Sequence, residues 1–253
     1  MKVRAQLLVA ATVLLAVAWL AGSAWQTSPT GTSLVLGLLL PLVVLGGLTT
    51  VYVVQLTRSR RPATLEVRAG AFVAPPAYLR VAVHASVFLA IGAMVAGQAL
   101  RDLADVPAIS VPLLALASLQ ILLYVPSVRA VFGDQPRVEL RPEGLKLFNV
   151  LGTRAMPWEA IAVGPYPRQR RQDVNEMAIG RPELVHRSGL ERWLGQRKVM
   201  LPPLVATDPM FLAAAVNHYL FHAEHRAAIG TPAEYARLYG VLTGRPDAPP
   251  APA

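Results

Sequence analysis

AQLLVAATVLLAVAWLAGSAWQTSPTGTSLVLGLLLPLVVLGGLTTVYVVQLT, from Ala5 to Thr57, carries no charged side chain. A helix crosses a hydrocarbon core in roughly 20 residues, so this stretch is too long for one crossing and long enough for two. Trp25-Gln26-Thr27-Ser28-Pro29-Thr30-Gly31-Thr32 divides it with turn formers and hydroxyls. The expected spans are 6–24 and 33–56, and two further uncharged runs predict spans at 81–100 and 106–128. Residues 1–129 thus read as a membrane α-helical bundle of four spans.

The basic residues set an orientation. Lys2 and Arg4 precede the first span, and Arg58, Arg60, Arg61, Arg68 and Arg80 separate the second from the third. The loop after the first span is uncharged, and the loop near Arg101 also holds Asp102 and Asp105. Positive residues stay on the cytoplasmic side, so a multi-pass protein of the cell membrane with both termini cytoplasmic is expected. A rival reading takes residues 1–24 as a cleaved signal peptide, with Gly22-Ser23-Ala24 as the cleavage region.

Composition agrees with a membrane location. Hydrophobic residues make up 54% and charged residues 15%, where ordinary soluble domains hold about a quarter charged. Wholesale disorder is excluded by that hydrophobicity. The absence of cysteine excludes a disulfide scaffold and a thiolate-ligated metal. The net charge of +9 is almost entirely arginine, which reads as a GC-rich coding background before it reads as function.

Within the spans the polar residues are few: His84, Gln98 and Gln120. An ionisable residue at membrane depth marks ion pathways, but His84 lies near a span end, where a headgroup-level role accounts for it. Small residues at Gly92, Ala96, Gly46 and Gly47 allow close helix approach and suit self-association as a homo-oligomer.

The second half is an α+β soluble domain by pattern. Arg137–Arg141 and Leu145–Val150 alternate at period two around the turn Pro142-Glu143-Gly144, and 155–163 supplies a third strand or strand pair. Weaker strand signals lie at 183–187 and 198–201. Asp208-Pro209 opens a helix expected to run to about His225. Thr231…Glu234 forms a capping box for a short helix over 231–243, and 244–253 is a disordered Pro/Ala tail.

This order of elements, carried by Val138-Glu139-Leu140, Gly144-Leu145, Trp158-Glu159-Ala160-Ile161 and the 217–230 helix end, resembles the pleckstrin-homology-like (PH-like) domains of bacterial membrane proteins. The resemblance covers roughly 131–230 and implies a small β-barrel or sheet capped by a C-terminal helix over 130–230. It also implies that Trp158 sits on a strand of the barrel wall. Phosphoinositide-binding members carry a basic cluster in the first hairpin turn, where this chain has Arg141-Pro142-Glu143-Gly144. Inositide recognition is therefore not implied.

Two clusters remain. Arg168, Arg170 and Arg171 read as a loop able to contact anionic lipid, since guanidinium donors match phosphate oxygens. His218, His222 and His225 share a helical face, with Glu224 beside them, and are candidate metal ligands. They lack the His-Glu-x-x-His pattern, and helix-end electrostatics accounts for them, so neither metal nor cofactor is expected. No Gly-x-Ser-x-Gly elbow or phosphate-binding Gly-Lys-Ser/Thr loop occurs, so no catalytic residue is assigned and an enzyme is not expected. Nucleic acid is excluded as a partner because the basic residues are interleaved with acids. The expected function is non-catalytic: a PH-like domain held at the inner leaflet for a protein partner or anionic lipid of the bilayer. A channel or transporter component and a membrane-associated enzyme are the alternatives.

Overall fold

The computed structural model describes residues 2–25, 43, 46–47, 49–51, 53–54, 61–68, 70–168, 171–193, 198–202 and 204–244. The chain divides into two units: Met1–Ser59 with Tyr78–Gly133, and Arg60–Ala77 with Asp134–Ala253.

The first unit contains α1 (Lys2–Trp25), α2 (Tyr78–Arg101) and α3 (Pro107–Phe132). Runs of Leu, Val and Ala without acidic residues give helices of 24, 24 and 26 residues, about 36 Å or more at 1.5 Å per residue. All three are long and apolar enough to cross a membrane. The expected span at 33–56 lies mostly outside the described residues; those described within it are helical.

Small residues decide how these helices approach. An added Cβ at Gly97 would overlap Trp19 Nε1 and Ser23 Oγ of α1, and one at Gly92 would stand 3.2 Å from Ile121 Cγ1 of α3. Gly97 was not among the small residues read as contacts. Buried Thr12 and Ser86 hydroxyls meet at 3.0 Å, and Arg101 Nη2 donates to Ser23 Oγ at 3.1 Å. Residue 12 of α1 therefore faces 86 of α2, and 23 faces 101. The two helices run parallel.

The second unit is a β-structure closed by helices. Its strands are β1 (Glu66–Arg68), β2 (Ala71–Ala74), β3 (Arg137–Arg141), β4 (Gly144–Asn149), β5 (Gly152–Pro157), β6 (Ile161–Arg168), β7 (Arg171–Ile179), β8 (His186–Arg187) and β9 (Lys198–Met200). They form two antiparallel sheets, ordered β1-β2-β3-β4-β5-β8 and β6-β7-β9. Helices α4 (Pro209–Phe221) and α5 (Pro232–Thr243) follow. Leu140, Leu145, Met156, Met177, Val216 and Leu238 belong to one buried cluster.

Several sequence expectations are corrected here. The second unit does not begin at 130 alone. Residues 60–77, expected within the membrane region between the second and third spans, supply β1 and β2, and β2 pairs with β3 through Phe72↔Leu140 and Ala74↔Val138. Leu65 and Phe72 are fully buried. The same segment is fastened where α4 begins: Asp208 N donates to Pro62 O at 2.9 Å, Ala206 N to Pro75 O at 2.8 Å, and Thr207 Oγ1 to Thr64 O at 2.9 Å. Gly230, at φ +90°, presses on the β1–β2 turn so closely that a Cβ would overlap Ala71 N. Only glycine fits there.

Trp158 lies in the one-turn 3₁₀ helix Trp158–Ala160, not on a strand, and its buried Nε1 donates to Arg141 O and Pro142 O at 3.1 and 3.0 Å. Strand β7 escaped the pattern because it buries polar Asn175 and Glu176 beside Met177. Helix α4 is capped by Asp208 Oδ1, which accepts from Met210 N and Phe211 N at 2.9 Å. It ends at Phe221, four residues short of the expected end, and a 3₁₀ turn, Ala223–Ala228, follows. Helix α5 buries Tyr235, Leu238 and Tyr239 in the same core.

Phe72→Ala is expected to destabilise the second unit by about 3–5 kcal/mol through loss of a fully buried aromatic. Denaturant unfolding followed by the fluorescence of Trp158 measures it; a loss near zero would mean that the inserted hairpin contributes no core.

Candidate functional site

The β3–β4 hairpin is the place to look for anion recognition. Strand alternation puts Arg137, Glu139 and Arg141 on one face. Glu139 accepts from Arg137 Nε at 2.8 Å and from Arg141 Nε and Nη2 at 2.9 and 2.8 Å. Burial raises the Glu139 carboxyl pKa, but hydrogen bonds and charge from both guanidiniums outweigh it and hold the group below the usual carboxylate range. Arg141 also lies 3.7 Å from Glu143, and Arg137 stacks 3.7 Å from the Phe148 ring centroid. Both hairpin arginines are thus engaged within the domain. A shallow cleft of about 220 Å³ beside them is lined by Arg141, Glu143, Lys146 and His186 among others.

A larger cleft, of about 320 Å³, opens where the β4–β5 turn meets β9. Its wall is mostly apolar, with Pro136, Val150, Leu151, Val199, Met200 and Leu201. Its polar part is one buried constellation. Arg154 Nη2 donates to Glu191 Oε2, and Asn149 Nδ2 donates to Glu191 Oε1 at 2.8 Å. The side chains of Arg154 and Glu191 are only 4% and 6% exposed, so each charge depends on the other for its solvation.

The 3₁₀ turn Gly189–Trp193 that carries Glu191 is held to the sheet by Leu190 N donating to Leu151 O and Ser188 N to Thr153 O, both at 2.9 Å. A Cβ at Gly152 would overlap Ser188 O, so glycine permits this approach. In the cleft wall Leu151 and Met200 are exposed, and on the turn that carries Glu191 Leu190 is exposed and Trp193 is 84% exposed. None of this cleft was singled out from sequence. Arg154, Glu191 and Asn149 lie up to 42 positions apart, and only the fold joins them.

The candidates from sequence fall elsewhere. Arg168 and Arg171 form the last backbone pair of the β6–β7 hairpin. Arg170, and the side chains of Arg168 and Arg171, lie outside the described part of the structure. His84 meets Phe88 edge-on at 4.8 Å, and Gln98 Nε2 donates to Asp102 Oδ2 at 2.8 Å.

His218, His222 and His225 do come together. His218 Nε2 lies 3.2 Å from His225 Nδ1, and the His218 and His222 rings are 4.7 Å apart. Glu224, which a continuous helix would turn away from His222, is brought back by the break after Phe221. Its Oε1 accepts from His222 Nδ1 at 3.3 Å. Behind the histidines Arg237 is paired bidentately with Glu234 at 2.6 and 2.7 Å, and the buried Tyr219 hydroxyl donates to Glu234 at 2.9 Å. Burial, reinforced by Glu234, pushes the Tyr219 pKa up. Burial and then the charge of Arg237 push the His218 pKa down.

Among known protein families, residues 135–175 match the model described as Bacterial PH domain. The match runs from the approach to β3 into β7 and leaves β1, β2 and α4 outside it. No curated protein and no solved structure matches the chain.

Glu191→Leu is expected to cost about 3–5 kcal/mol, because it leaves the Arg154 guanidinium buried and unpaired. Arg154→Met combined with Glu191→Leu should recover most of that loss. Urea denaturation of the three proteins decides it; equal losses in the single and double variants would mean that the two charges are not coupled.

Proposed function

We propose that the PH-like domain carried by this chain is presented at the cytoplasmic face of the cell membrane by four spans, and that it binds a protein partner without catalysis. What carries the reading is the contrast between its two recognition surfaces. The arginines of the first hairpin are engaged by Glu139 and Glu143, while the 320 Å³ cleft is mostly apolar, with Leu151 and Met200 exposed in its wall and Leu190 and Trp193 exposed on the turn that carries Glu191. Exposed apolar surface around a concavity favours a protein ligand over a phosphate.

Four spans are supported by the parallel packing of α1 on α2. Two helices that cross a bilayer in the same direction need a return crossing between them, and residues 33–56 are apolar enough to supply it. The same packing supports retention of α1 over its removal as a signal peptide. Residues 60–77 and 134–244 share one sheet, so they share one side of the membrane if α2 and α3 both cross. The arginine distribution makes that side cytoplasmic.

The chain lacks cysteine, so single cysteines report without interference. In intact cells Asp105→Cys is expected to react with an impermeant maleimide, and Val241→Cys only after permeabilisation. Met200→Cys bearing a photocrosslinker should give one saturable adduct that Val241→Cys does not. Labelling of residue 241 from outside would reverse the orientation, and identical crosslinks at 200 and 241 would remove the cleft as the docking surface.

A lipid contribution from Arg168, Arg170 and Arg171 is part of the proposal. With the full chain in nanodiscs, amide exchange at the β6–β7 tip is expected to slow in anionic over neutral lipid. Arg170→Ala with Arg171→Ala should abolish the difference; exchange indifferent to lipid charge would delete the lipid role.

A further inference from the structure

We propose that His222, Glu224 and His225 form a binding site for one divalent cation of the zinc class. One potential ligand atom from each of the three lies within 4.8 Å of the others. Nothing in the partner-binding reading depends on this site, and the site does not depend on that reading.

The backbone creates the cluster. His222 is the C-cap of α4, at φ −118° and ψ 78°, and its N–H still donates to His218 O at 2.9 Å. The chain then tightens into the 3₁₀ turn, which carries Glu224 and His225 back beside His222. Two imidazoles and a carboxylate make a donor set for zinc, nickel or copper in preference to magnesium or calcium, which favour oxygen. Bonds of about 2.0–2.1 Å to a tetrahedral ion imply ligand–ligand edges of roughly 3.3–3.4 Å. His222 Nδ1 and Glu224 Oε1 already stand 3.3 Å apart. Both side chains are substantially exposed, at 49% and 65%, so each is accessible to a cation from solvent.

The surroundings prepare His225. Arg237 Nη2 lies 2.9 Å from His218 Nε2, and a guanidinium can only donate. His218 Nε2 is therefore an unprotonated acceptor. His225 Nδ1 lies 3.2 Å from that same nitrogen, so an N–H on it can share the acceptor. With the N–H on Nδ1, the His225 lone pair is on Nε2, available to a cation. An N–H of a ligating imidazole held by a second group is the usual arrangement at metal sites.

Arg237 adds positive charge nearby, but Glu234 pairs with it through two short hydrogen bonds. Arg226 points away from the cluster, to Tyr219 O at 2.8 Å and Leu220 O at 3.1 Å. The imidazoles must be neutral to bind, so protons compete with the cation and affinity should fall as the solution is acidified.

Isothermal titration of the detergent-solubilised full chain with zinc chloride at pH 7.5, in excess magnesium, tests the site. One saturable equivalent is expected, with affinity lowered at pH 5.5. Glu224→Gln should weaken it by about 10–100-fold, and His222→Ala with His225→Ala should abolish it, while His186→Ala binds as the parent does. Zinc should raise the melting temperature of the parent and not of the double variant. The altered side chains lie at the surface, so all variants should melt alike without zinc. Absence of saturable binding, or binding unchanged in both the Glu224 and double-histidine variants, would overturn the proposal.

Discussion

The second unit depends on one packing event: residues 60–77 seat Leu65, Phe72 and Ala74 in a core otherwise built from residues after 134. Phe72 lies 6.3 Å from the Tyr219 ring and 5.7 Å from the Tyr235 ring, so it joins β2 to both closing helices. Strands β2 and β3 are hydrogen-bonded neighbours, yet α2 and α3 intervene between them in sequence. Two apolar helices are thus an excursion out of one β-domain and back into it. A fragment beginning near 130 would lack a sheet edge and the fully buried side chains of Leu65, Phe72, Val73 and Ala74.

The same economy governs the charges. Arginine dominates the basic residues, but many guanidiniums of the second unit are held by carboxylates: Arg68 by Glu66, Arg137 and Arg141 by Glu139, Arg154 by Glu191 and Arg237 by Glu234. Net charge alone would have suggested a broad anion-binding surface. Pairing removes these arginines from that role and leaves apolar concavity as the more distinctive feature. The buried Arg154–Glu191 pair also fixes the turn that displays Leu190 and Trp193. A polar interaction inside the cleft therefore holds the turn on which these apolar side chains are exposed.

Much of the fold was legible in the sequence because its signals are local. Period-two alternation located β3 and β4, and Asp208-Pro209 and Thr231…Glu234 marked the starts of α4 and α5. Those motifs act through hydrogen bonds within three residues. Strand β7 was not legible, because its inward Asn175 is satisfied by the carbonyl of Pro209, a partner 34 residues away. The premature end of α4 was equally hidden, and with it the meeting of Glu224 and His222. Helical spacing had grouped the three histidines and set Glu224 beside them only as a neighbour in sequence.

The sequence by itself determined the length and apolarity of the helices, the alternating strands and the composition that makes a bilayer the natural solvent for the first unit. These are properties of each segment against its surroundings, and transfer free energy reads them one segment at a time. Only the tertiary structure decided that 60–77 belongs to the β-domain, that Arg154 meets Glu191, and that Trp158 closes on the carbonyls of Arg141 and Pro142. Each of these is a pairing between distant residues, and its energy exists only once the chain has brought both partners out of water together.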